Sequence, residues 1–378
     1  MKVLVSDGAY THTLSIVRSL GVREIPVWVI GNTAYDISFY SKYCKGKVFG
    51  PKPSDETAFS KFLCNLLRRS GPDLLIPVGF HSNRIVSLIK DRISGYVNAE
   101  VADYEIFEKV MNRRKTYELA EKLNVPFPKT FYPNDVRDVE RLAKELKYPV
   151  AVKGMYEKGG GSVIGYPRDG SELIQIYQKI RKAYHHNERL PMIQEYVGPG
   201  NNYGFCALYQ NGVCRRIFMF KELRSYPVTG GSSTCSISIY NVKLKEYAMK
   251  LLDALKWHGV AHVEFKEDKD RSLKLMEVNP KFWASLDIAL IAGMDFPYFL
   301  YQIAKGEKLN FSEDYTIGLK YHWPFSKEVF NLMQDPRSFF RILSDSINPR
   351  VKSNIWLKDF KPNLIELKTT AFYLLKKL

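Results

Sequence analysis

Apolar and polar positions alternate in blocks along the first hundred residues, and the blocks predict strands and helices in turn. The apolar runs at 3–6, in "IPVWVIG" and in "PDLLIPVG" are typical of short buried strands. Between them, segments such as "DETAFSKFLCNLLRRSG" carry apolar residues at helical spacing, with a capping acid at the start and Gly71 at the end. This rhythm predicts a parallel α/β domain over residues 1–105.

Residues 106–190 mix the two periodicities in a smaller unit. A charged helical stretch precedes "VPFPKTFYP", which we expect to be extended because a residue before proline disfavours the helical backbone. A helix, the strand "YPVAVKG", a glycine-rich turn, a second strand and the helix "DGSELIQIYQKIRKAY" follow. This order predicts a compact α+β domain.

Consecutive strands dominate residues 191–310. Three apolar runs, with Asn211-Gly212 as a hairpin turn, precede a predicted loop over "LRSYPVTGGSST". An amphipathic helix, a hairpin over "GVAHVEFKEDKDRSLKLMEVNP" and a helical segment interrupted at Gly293 follow. Residues 311–378 form a basic, irregular extension that ends in "LIELKTTAFYLLKKL". The predicted fold class is therefore α/β and α+β.

Composition narrows the class of protein. A length of 378 residues with 45% hydrophobic content predicts two or three globular domains. Five cysteines without a C-x-x-C pair argue against a disulfide framework or a zinc ribbon, and favour a reducing compartment. The first ten residues do not resemble a signal peptide, and no window holds 18 uninterrupted apolar residues. We therefore expect a cytoplasmic protein without a membrane span.

The formal net charge of +16 suits phosphate-rich ligands, nucleic acid or an anionic membrane surface, although a basic, solvated exterior is the plainer explanation. The sequence contains no helix-turn-helix, RRM or zinc-finger pattern, so a nucleic-acid partner is not favoured. The last segment, "LIELKTTAFYLLKKL", predicts either a helix packed on its own domain or a twin subunit, or an amphipathic helix in peripheral contact with a membrane.

Candidate chemistry begins in the hairpin that leads into "LMEVNPKFW". If this hairpin closes midway, Glu264 lies opposite Glu277 and His262 lies opposite Asn279. Opposed side chains share a face of a sheet, so the two acids and Asn279 project together. The other face then points into a core and carries Val263, Phe265, Met276 and Val278. Opposed carboxylates repel unless a cation lies between them, and oxygen ligands suit Mg²⁺. The alternative is a pair of exposed acids.

A lysine and a run of glycines follow the first strand of the α+β domain. Lys153 ends "YPVAVKG", and Gly159, Gly160, Gly161 and Ser162 form the turn before the next strand. Consecutive glycines let backbone N–H groups approach an anion, and the serine adds a hydroxyl donor. The pattern differs from a P-loop because no G-K-[ST] follows. It predicts a flap over phosphates, or else an ordinary glycine-rich turn.

Six segments in order resemble the ATP-grasp superfamily of ATP-dependent carboxylate–amine ligases. They are "NRRKTYELAEKLNVPFPKT", "YPVAVKGMYEKGGGSV", "MIQEYVGPG", "LRSYPVTGGSST", "HGVAHVEF" and "LMEVNPKFW". With the α/β domain they cover about residues 1–305, and the chain is most similar to the carboligase branch related to the carbamoyl-phosphate synthetase large subunit. The resemblance implies an ATP-grasp fold: a Rossmann-like N-terminal domain, a small lid domain, an antiparallel-sheet domain and the extension.

The resemblance also implies roles for individual residues. Arg113 matches the first basic residue that contacts ATP, which is commonly a lysine, and Lys153 matches the lysine that holds the α- and β-phosphates. The other binding positions are the flap over the triphosphate (Gly159, Gly160, Gly161, Ser162), the adenine-binding hinge (Glu195, Val197), a ribose contact (Asn202) and the metal ligands (Glu264, Glu277, Asn279). Lys281 and Arg224 are the expected catalytic residues. Lys281 stands where many relatives carry an arginine, and Arg224 supplies the bidentate fork that a lysine lacks.

The function that the resemblance implies is an ATP- and Mg²⁺-dependent ligase, with Mn²⁺ as an alternative metal. It joins a carboxylate to an amine or thiol through an acyl phosphate and releases ADP and phosphate. Small-molecule carboxylate and amine substrates are the expected partners, and a homodimer is left open. The alternative is a non-catalytic nucleotide-binding protein associated with nucleic acid or with cell-envelope synthesis. Specificity is expected from the "LRSYPVTGGSST" and "FWASLDIA" segments and from His12, His81 and Asn83, none of which identifies the substrate.

Overall fold

The N-terminal sheet is parallel, with strand order β3-β2-β1-β4. The computed structural model describes residues 1–156, 164–183, 190–198 and 200–375 of the chain. The elements around the first sheet are β1 (Val3–Val5), α1 (Thr11–Gly21), β2 (Val27–Gly31), a 3-10 helix (Ile37–Tyr40), β3 (Cys44–Phe49), α2 (Glu56–Ser70), β4 (Leu74–Ile76), α3 (Phe80–Leu88) and α4 (Lys90–Ile93).

Helices cover both faces of this sheet, because both faces of its central strand are apolar. Val3 and Val5 pack with α1, and Leu4 between them packs with α2 and α3 on the other side. Helix α2 begins and ends as predicted: the Asp55 carboxylate accepts from the Ala58 N–H, and Gly71 adopts a left-handed φ of 48°. The sequence pattern missed β3, an edge strand whose residues are all at least partly exposed.

The second sheet is antiparallel, with strand order β5-β8-β6-β7, and two helices lie along it. The elements of this region are α5 (Tyr104–Met111), α6 (Arg113–Lys122), β5 (Thr130–Phe131), α7 (Val136–Glu145), β6 (Val150–Lys153), β7 (Ile164–Gly165), α8 (Gly170–Ala183) and β8 (Met192–Glu195). Val150, Val152 and Ile193 form its core with apolar residues of α7 and α8. The predicted charged helical stretch is two helices, which meet at Asn112.

A seven-stranded sheet, ordered β13-β12-β9-β10-β11-β14-β15, forms the largest part of the protein. Its elements are β9 (Asn202–Gln210), β10 (Val213–Tyr226), β11 (Ser232–Ser238), α9 (Val242–Ala254), β12 (Gly259–Glu267), β13 (Leu273–Asn279), α10 (Leu286–Ile291), α11 (Phe296–Ala304), β14 (Lys320–His322), α12 (Val329–Gln334), α13 (Phe339–Ile347), β15 (Lys352–Ser353) and α14 (Lys361–Leu375). Short helical turns cover Pro324–Glu328, Pro336–Ser338 and Leu357–Asp359.

Alternate residues of the large sheet serve two different cores. Phe205 and Ala207 of β9 pack with α9 on one face, whereas Cys206 and Leu208 join the core shared with the N-terminal sheet. The predicted hairpin at Asn211-Gly212 is confirmed, and both residues have a positive φ, 51° and 78°. The shared core fixes the large sheet against the N-terminal domain, and the functional face of the sheet lies on that side.

Two predictions about the C-terminal half were wrong. The "LRSYPVTGGSST" segment is not a loop throughout, because β10 continues to Tyr226 and β11 starts at Ser232. The tail is not irregular: β14 and β15 extend the large sheet, and three helices follow β14. In the described part of the chain, no helix is long and apolar enough to cross a membrane. The domain boundaries after residues 105, 190 and 310 stay predictions.

Candidate active site

The hairpin of β12 and β13 has the predicted register. Glu264 lies opposite Glu277, and His262 lies opposite Asn279. A bulge follows, since Phe265 pairs with Leu275 instead of Met276. The prediction that Met276 points into the core was therefore wrong: Leu275 is fully buried and Met276 is half-buried. Because of the bulge, the apolar residues Leu275 and Leu273 face the core next to the pair of Glu264 and Glu277.

The face that carries the two acids continues across the neighbouring strands. Glu264 pairs with Gly204 of β9, and Lys266 pairs with Asn202, whose amide donates to a Glu222 carboxylate oxygen of β10 at 2.9 Å. Position 204 must be glycine, because a β-carbon there would lie 2.3 Å from the Phe220 ring. Four adjacent strands thus place acidic and amide groups side by side.

The Asn279 amide joins the two opposed carboxylates. It donates to Glu264 Oε1 at 3.0 Å and to Glu277 Oε1 at 2.8 Å. Burial raises the pKa of Glu264 well above its ordinary range, and the negative charges of Glu277 and Glu222 raise it further. A cation bound between the two acids would offset this repulsion.

Glu277 behaves in the opposite way because it faces cations. Burial raises its pKa, but the charge of Arg113 and the hydrogen bond from Asn279 outweigh burial and lower the pKa overall. The charges of Lys281 and Lys153 act in the same direction. Among the described residues, no group of three His, Cys, Asp or Glu side chains is arranged to hold a metal ion. The donor set here is two carboxylates and an amide, which is oxygen-rich and fits Mg²⁺ once the amide turns its oxygen inward.

Arg113 reaches the acids from the start of α6. Asn112 caps this helix by accepting from the Lys115 N–H, and this fixes the first helical residue at the site. The Arg113 guanidinium donates to the Gly154 carbonyl at 2.8 Å and lies 3.6 Å from Glu277 Oε2. Its side chain is only 6% exposed, so it is a fixed positive charge between the second sheet and the hairpin.

Lys153 is buried at the end of β6. Its ammonium donates to Gln194 Oε1 at 3.0 Å, and the Gln194 amide donates to Thr130 Oγ1 at 2.9 Å. Gln194 was missed as a site residue, although its position one residue before Glu195 in "MIQEYVGPG" was a signal. The flap residues Gly159, Gly160, Gly161 and Ser162 lie outside the described residues.

The expected nucleotide-binding hinge lies after β8. The Glu195 carboxylate is 3.6 Å from Lys274 Nζ, and Val197 is buried. The contacts of Asn202 with Glu222 place it on the same face as the acids. The assignment of these three residues to adenine and ribose stays a prediction.

Arg224 lies in β10 and has two buried carboxylate partners. Its guanidinium donates to both oxygens of Glu328, at 2.7 to 3.1 Å, and to Asp345 Oδ2 at 2.8 Å. A catalytic role for Arg224 stays a prediction. The guanidinium that was expected to hold the acyl phosphate is already occupied by two carboxylates of the C-terminal extension. These contacts favour a structural role.

A cluster of basic groups forms beside the acids. Burial lowers the pKa of His12 well below its ordinary value, and the charges of Lys281 and Lys327 lower it further. Lys327 was missed by the sequence analysis, because the irregular tail gave no pattern to place it. Its ammonium donates to the Ala284 carbonyl at 2.9 Å and lies 4.1 Å from the centre of the Trp323 ring. Three parts of the chain thus bring His12, Lys281 and Lys327 together.

Burial shifts the pKa values of Lys327 and of Glu222, an acid whose charge acts on it. Burial lowers the pKa of Lys327 to about 8, and the charges of Asp287, Glu366 and Glu222 oppose the decrease. Burial raises the pKa of Glu222 to about 7, against the hydrogen bond from Asn202. Lys327 and Glu222, whose charges act on each other, therefore both titrate near neutral pH, as groups in functional sites often do.

Two other expected specificity residues lie on α3. Asn83 is buried, and its amide donates to the Gly79 carbonyl at 2.7 Å, which holds the start of the helix. His81 Nδ1 lies 3.8 Å from Glu56 Oε1. Neither contact involves the acids, and a role in specificity stays a prediction for both.

Comparison with known proteins agrees with this geometry. A family model described as "ATP-grasp in the biosynthetic pathway with Ter operon" matches residues 230–323. The D-aspartate ligase of Enterococcus faecium (strain Aus0004) is 24% identical over 241 residues, 60% of this chain and 57% of that one. The carbamoyl phosphate synthase large chain of Thermoanaerobacter sp. (strain X514) is 23% identical over 302 residues, 76% of this chain and 27% of that one. The chain spans less than two thirds of either relative.

A solved structure extends the likeness to the fold. The biotin carboxylase domain of 2-oxoglutarate carboxylase from Hydrogenobacter thermophilus, a dimer in complex with MgADP, ADP and bicarbonate, aligns with a TM-score of 0.68 and 18% identity. The alignment covers 84% of this chain and 73% of that one. The predicted resemblance to the ATP-grasp superfamily is confirmed, and the chain has the ATP-grasp fold.

Proposed function

We propose that the protein is an ATP- and Mg²⁺-dependent ligase that joins a carboxylate to an amine or a thiol. The observation that carries this proposal is the opposed pair of Glu264 and Glu277, bridged by Asn279 and faced by Arg113. The similarity to a D-aspartate ligase and to carbamoyl phosphate synthase large chains supports the same reaction class.

Each part of the site has a proposed task. Glu264, Glu277 and Asn279 would hold Mg²⁺, which would neutralise phosphate oxygens of the nucleotide. Arg113 and Lys153 would bind phosphates, and the flap predicted from the sequence, Gly159 to Ser162, would cover them. The hinge at Glu195 and Val197 receives the adenine, and Asn202 the ribose. These positions hold the triphosphate in one orientation, which is most of what phosphoryl transfer requires of a protein.

The basic cluster of His12, Lys281 and Lys327 is proposed to receive the substrate carboxylate. A carboxylate oxygen attacks the γ-phosphorus, the bond to the β–γ bridging oxygen breaks, and ADP leaves. The amine or thiol then attacks the acyl carbon, gives up its proton, and phosphate leaves. The positive charges of Lys281 and Lys327 stabilise the charge that gathers on the acyl phosphate.

The experiment that tests the proposal is a substrate screen. Purified protein is incubated with ATP, Mg²⁺ and pools of carboxylates with amino acids, other amines or thiols, and ADP, phosphate and new products are measured. We expect ADP release that depends on both a carboxylate and a nucleophile, and at least a hundredfold loss of rate in Glu277→Gln. Absence of nucleotide binding by calorimetry, with no ADP formed from any pool, would contradict the proposal.

We also propose where the protein is located and how it assembles. We place the protein in the cytoplasm, where ATP is available and where its five cysteines, all free in the structure, stay reduced. A homodimer is also proposed, since the biotin carboxylase neighbour is a dimer. Light scattering of the purified protein tests this second point.

A further inference from the structure

The last helix of the described chain, α14, buries a polar face. Its buried residues are Pro362, Asn363, Glu366 and Thr370. The Glu366 carboxylate accepts from Ser326 Oγ at 2.6 Å and from the Asn354 amide at 2.9 Å. The Asn363 amide donates to the Asn354 carbonyl at 3.0 Å. Buried polar groups demand partners, so this network fixes which face of α14 turns inward.

Helix α13 repeats this arrangement. Asp345 is its buried residue and is paired with Arg224 and Lys320. At about 100° per residue, Phe339, Phe340, Leu343 and Ile347 fall within an arc of about 100° on the side away from Asp345. Phe340 is 78% exposed and Ile347 is 75% exposed. Both helices turn polar residues towards the protein interior, and their apolar faces are left in contact with solvent.

Exposed apolar side chains are concentrated in this region. Phe372 and Leu375 continue the outer face of α14, and Leu357, which is 82% exposed, lies between the two helices in sequence. The large apolar residues exposed between positions 333 and 375 are Met333, Phe339, Phe340, Leu343, Ile347, Leu357, Leu364, Leu367, Phe372, Tyr373 and Leu375. We call these residues the C-terminal apolar surface. So many exposed apolar groups within one segment favour an interaction site.

The charge of the same segment is almost entirely positive at its surface. The exposed cations of residues 329–375, all of which the structure describes, are Arg337, Arg341, Arg350, Lys352, Lys358, Lys361 and Lys368. Three of the four acids in this range, Asp345, Asp359 and Glu366, are buried. The fourth, Asp335, pairs with Arg337. A second copy would bring like charges together, whereas an anionic partner would be attracted.

We propose that the C-terminal apolar surface docks on an anionic lipid membrane. Apolar side chains enter the boundary between headgroups and acyl chains while neighbouring Lys and Arg side chains contact lipid phosphates, as in interfacial helices. The contact is peripheral, because no helix of the described chain can span a bilayer. Docking would hold the site next to a substrate at the membrane surface, but it is independent of the ligase proposal.

Vesicle co-sedimentation of the full chain tests the proposal. We use vesicles of phosphatidylcholine alone and of phosphatidylcholine with phosphatidylglycerol at 3:1, at low and at high salt. We expect binding to the anionic vesicles, with at least a fivefold decrease at high salt. Phe340→Gln and Leu367→Gln, each at an exposed position, should each lower the partition coefficient about tenfold. Arg341→Glu should do the same through charge alone.

The matched control is Phe49→Gln, which replaces a phenylalanine that is 58% exposed on the edge strand β3 and should leave binding unchanged. Circular dichroism melts check that all four variants are folded. The proposal is overturned if the wild type does not bind anionic vesicles, or if the surface variants bind like the wild type. It is also overturned if light scattering shows a dimer that Phe340→Gln dissociates while vesicles do not bind.

Discussion

The pKa of one carboxyl group at the candidate site, that of Glu222, predicts how stability depends on pH. Glu222 keeps a proton in the folded protein up to about pH 7, whereas its ordinary pKa is 4.5. A pKa raised by folding means that stability falls as the pH rises from about 4.5 through 7. We predict that Glu222→Gln removes this decrease. The unfolding free energy of the wild type relative to the variant should drop by up to about 3 kcal/mol over that window.

Urea unfolding of both proteins at pH 5 and pH 8 measures this difference. His12 and His262, whose pKa values burial lowers, shift stability in the opposite sense. Both proteins share those histidines, so only the difference between them reports Glu222. Parallel stability curves would show that Glu222 is ionised in the folded protein at pH 5.

Lys327 allows a test of the proposed carboxylate site. Its pKa of about 8 keeps it positive at pH 7 and neutral above pH 8. We predict that Lys327→Met raises the KM for the carboxylate found in the screen by tenfold or more at pH 7, with less than a twofold change in the KM for ATP. The wild-type KM for the carboxylate should rise above pH 8.

Lys327→Arg is the control, because it keeps the charge and has no titration near pH 8. This variant should lose the pH dependence while keeping most of the affinity. Equal increases in both KM values for Lys327→Met would indicate that Lys327 supports the fold rather than the carboxylate.

At the scale of elements, strands flanked by turn residues could be predicted and edge strands could not. The β12–β13 register followed from counting residues around one turn, and it placed Glu264 opposite Glu277. The bulge at Met276 escaped prediction, because period-2 alternation contains no signal for an extra residue. Edge strand β3 and the short strands β14 and β15 have too little apolar alternation to be recognised.

Arg224 connects three elements, and its contacts predict how much stability is lost when it is replaced. Glu328 would be left buried without its cation if Arg224 were lost, whereas Asp345 would keep only Lys320. We predict that Arg224→Met destabilises the protein by roughly 3–5 kcal/mol. Arg337→Met, whose arginine pairs with Asp335 at the surface and is 93% exposed, should cost under about 0.5 kcal/mol. Urea unfolding of both variants measures the contrast. Full stability with lost activity in Arg224→Met would instead favour the catalytic role.

At the scale of the whole molecule, the site is assembled from segments that are far apart in sequence. Arg113, Lys153 and the hairpin acids belong to motifs that could be found along the chain. Lys327 and the partners of Arg224 come from the tail, where burial of polar groups inverts the usual pattern. Long-range packing decides which charges face the acids, and a linear pattern of apolar positions does not contain that information.

Ligand binding should raise the melting temperature. Removal of the metal should separate the part of this rise that depends on Glu264 and Glu277 from the part that the nucleotide supplies alone. A ligand that binds only the folded state at a hundred times its Kd stabilises by about 2.7 kcal/mol. We predict that MgADP raises the melting temperature and that ADP with EDTA raises it much less, because Glu264 and Glu277 then lack a cation. Glu277→Gln should remove the Mg²⁺-dependent part.

Glu267→Gln is the matched control for this experiment, since Glu267 lies on the same hairpin with Asn201 and Tyr203 as partners. It should keep the full difference between MgADP and ADP with EDTA. If chelation left the nucleotide-induced shift unchanged in the wild type, or if Glu277→Gln kept the Mg²⁺-dependent part, the opposed acids would not hold the metal. The raised pKa of Glu264 would then reflect burial and mutual repulsion alone.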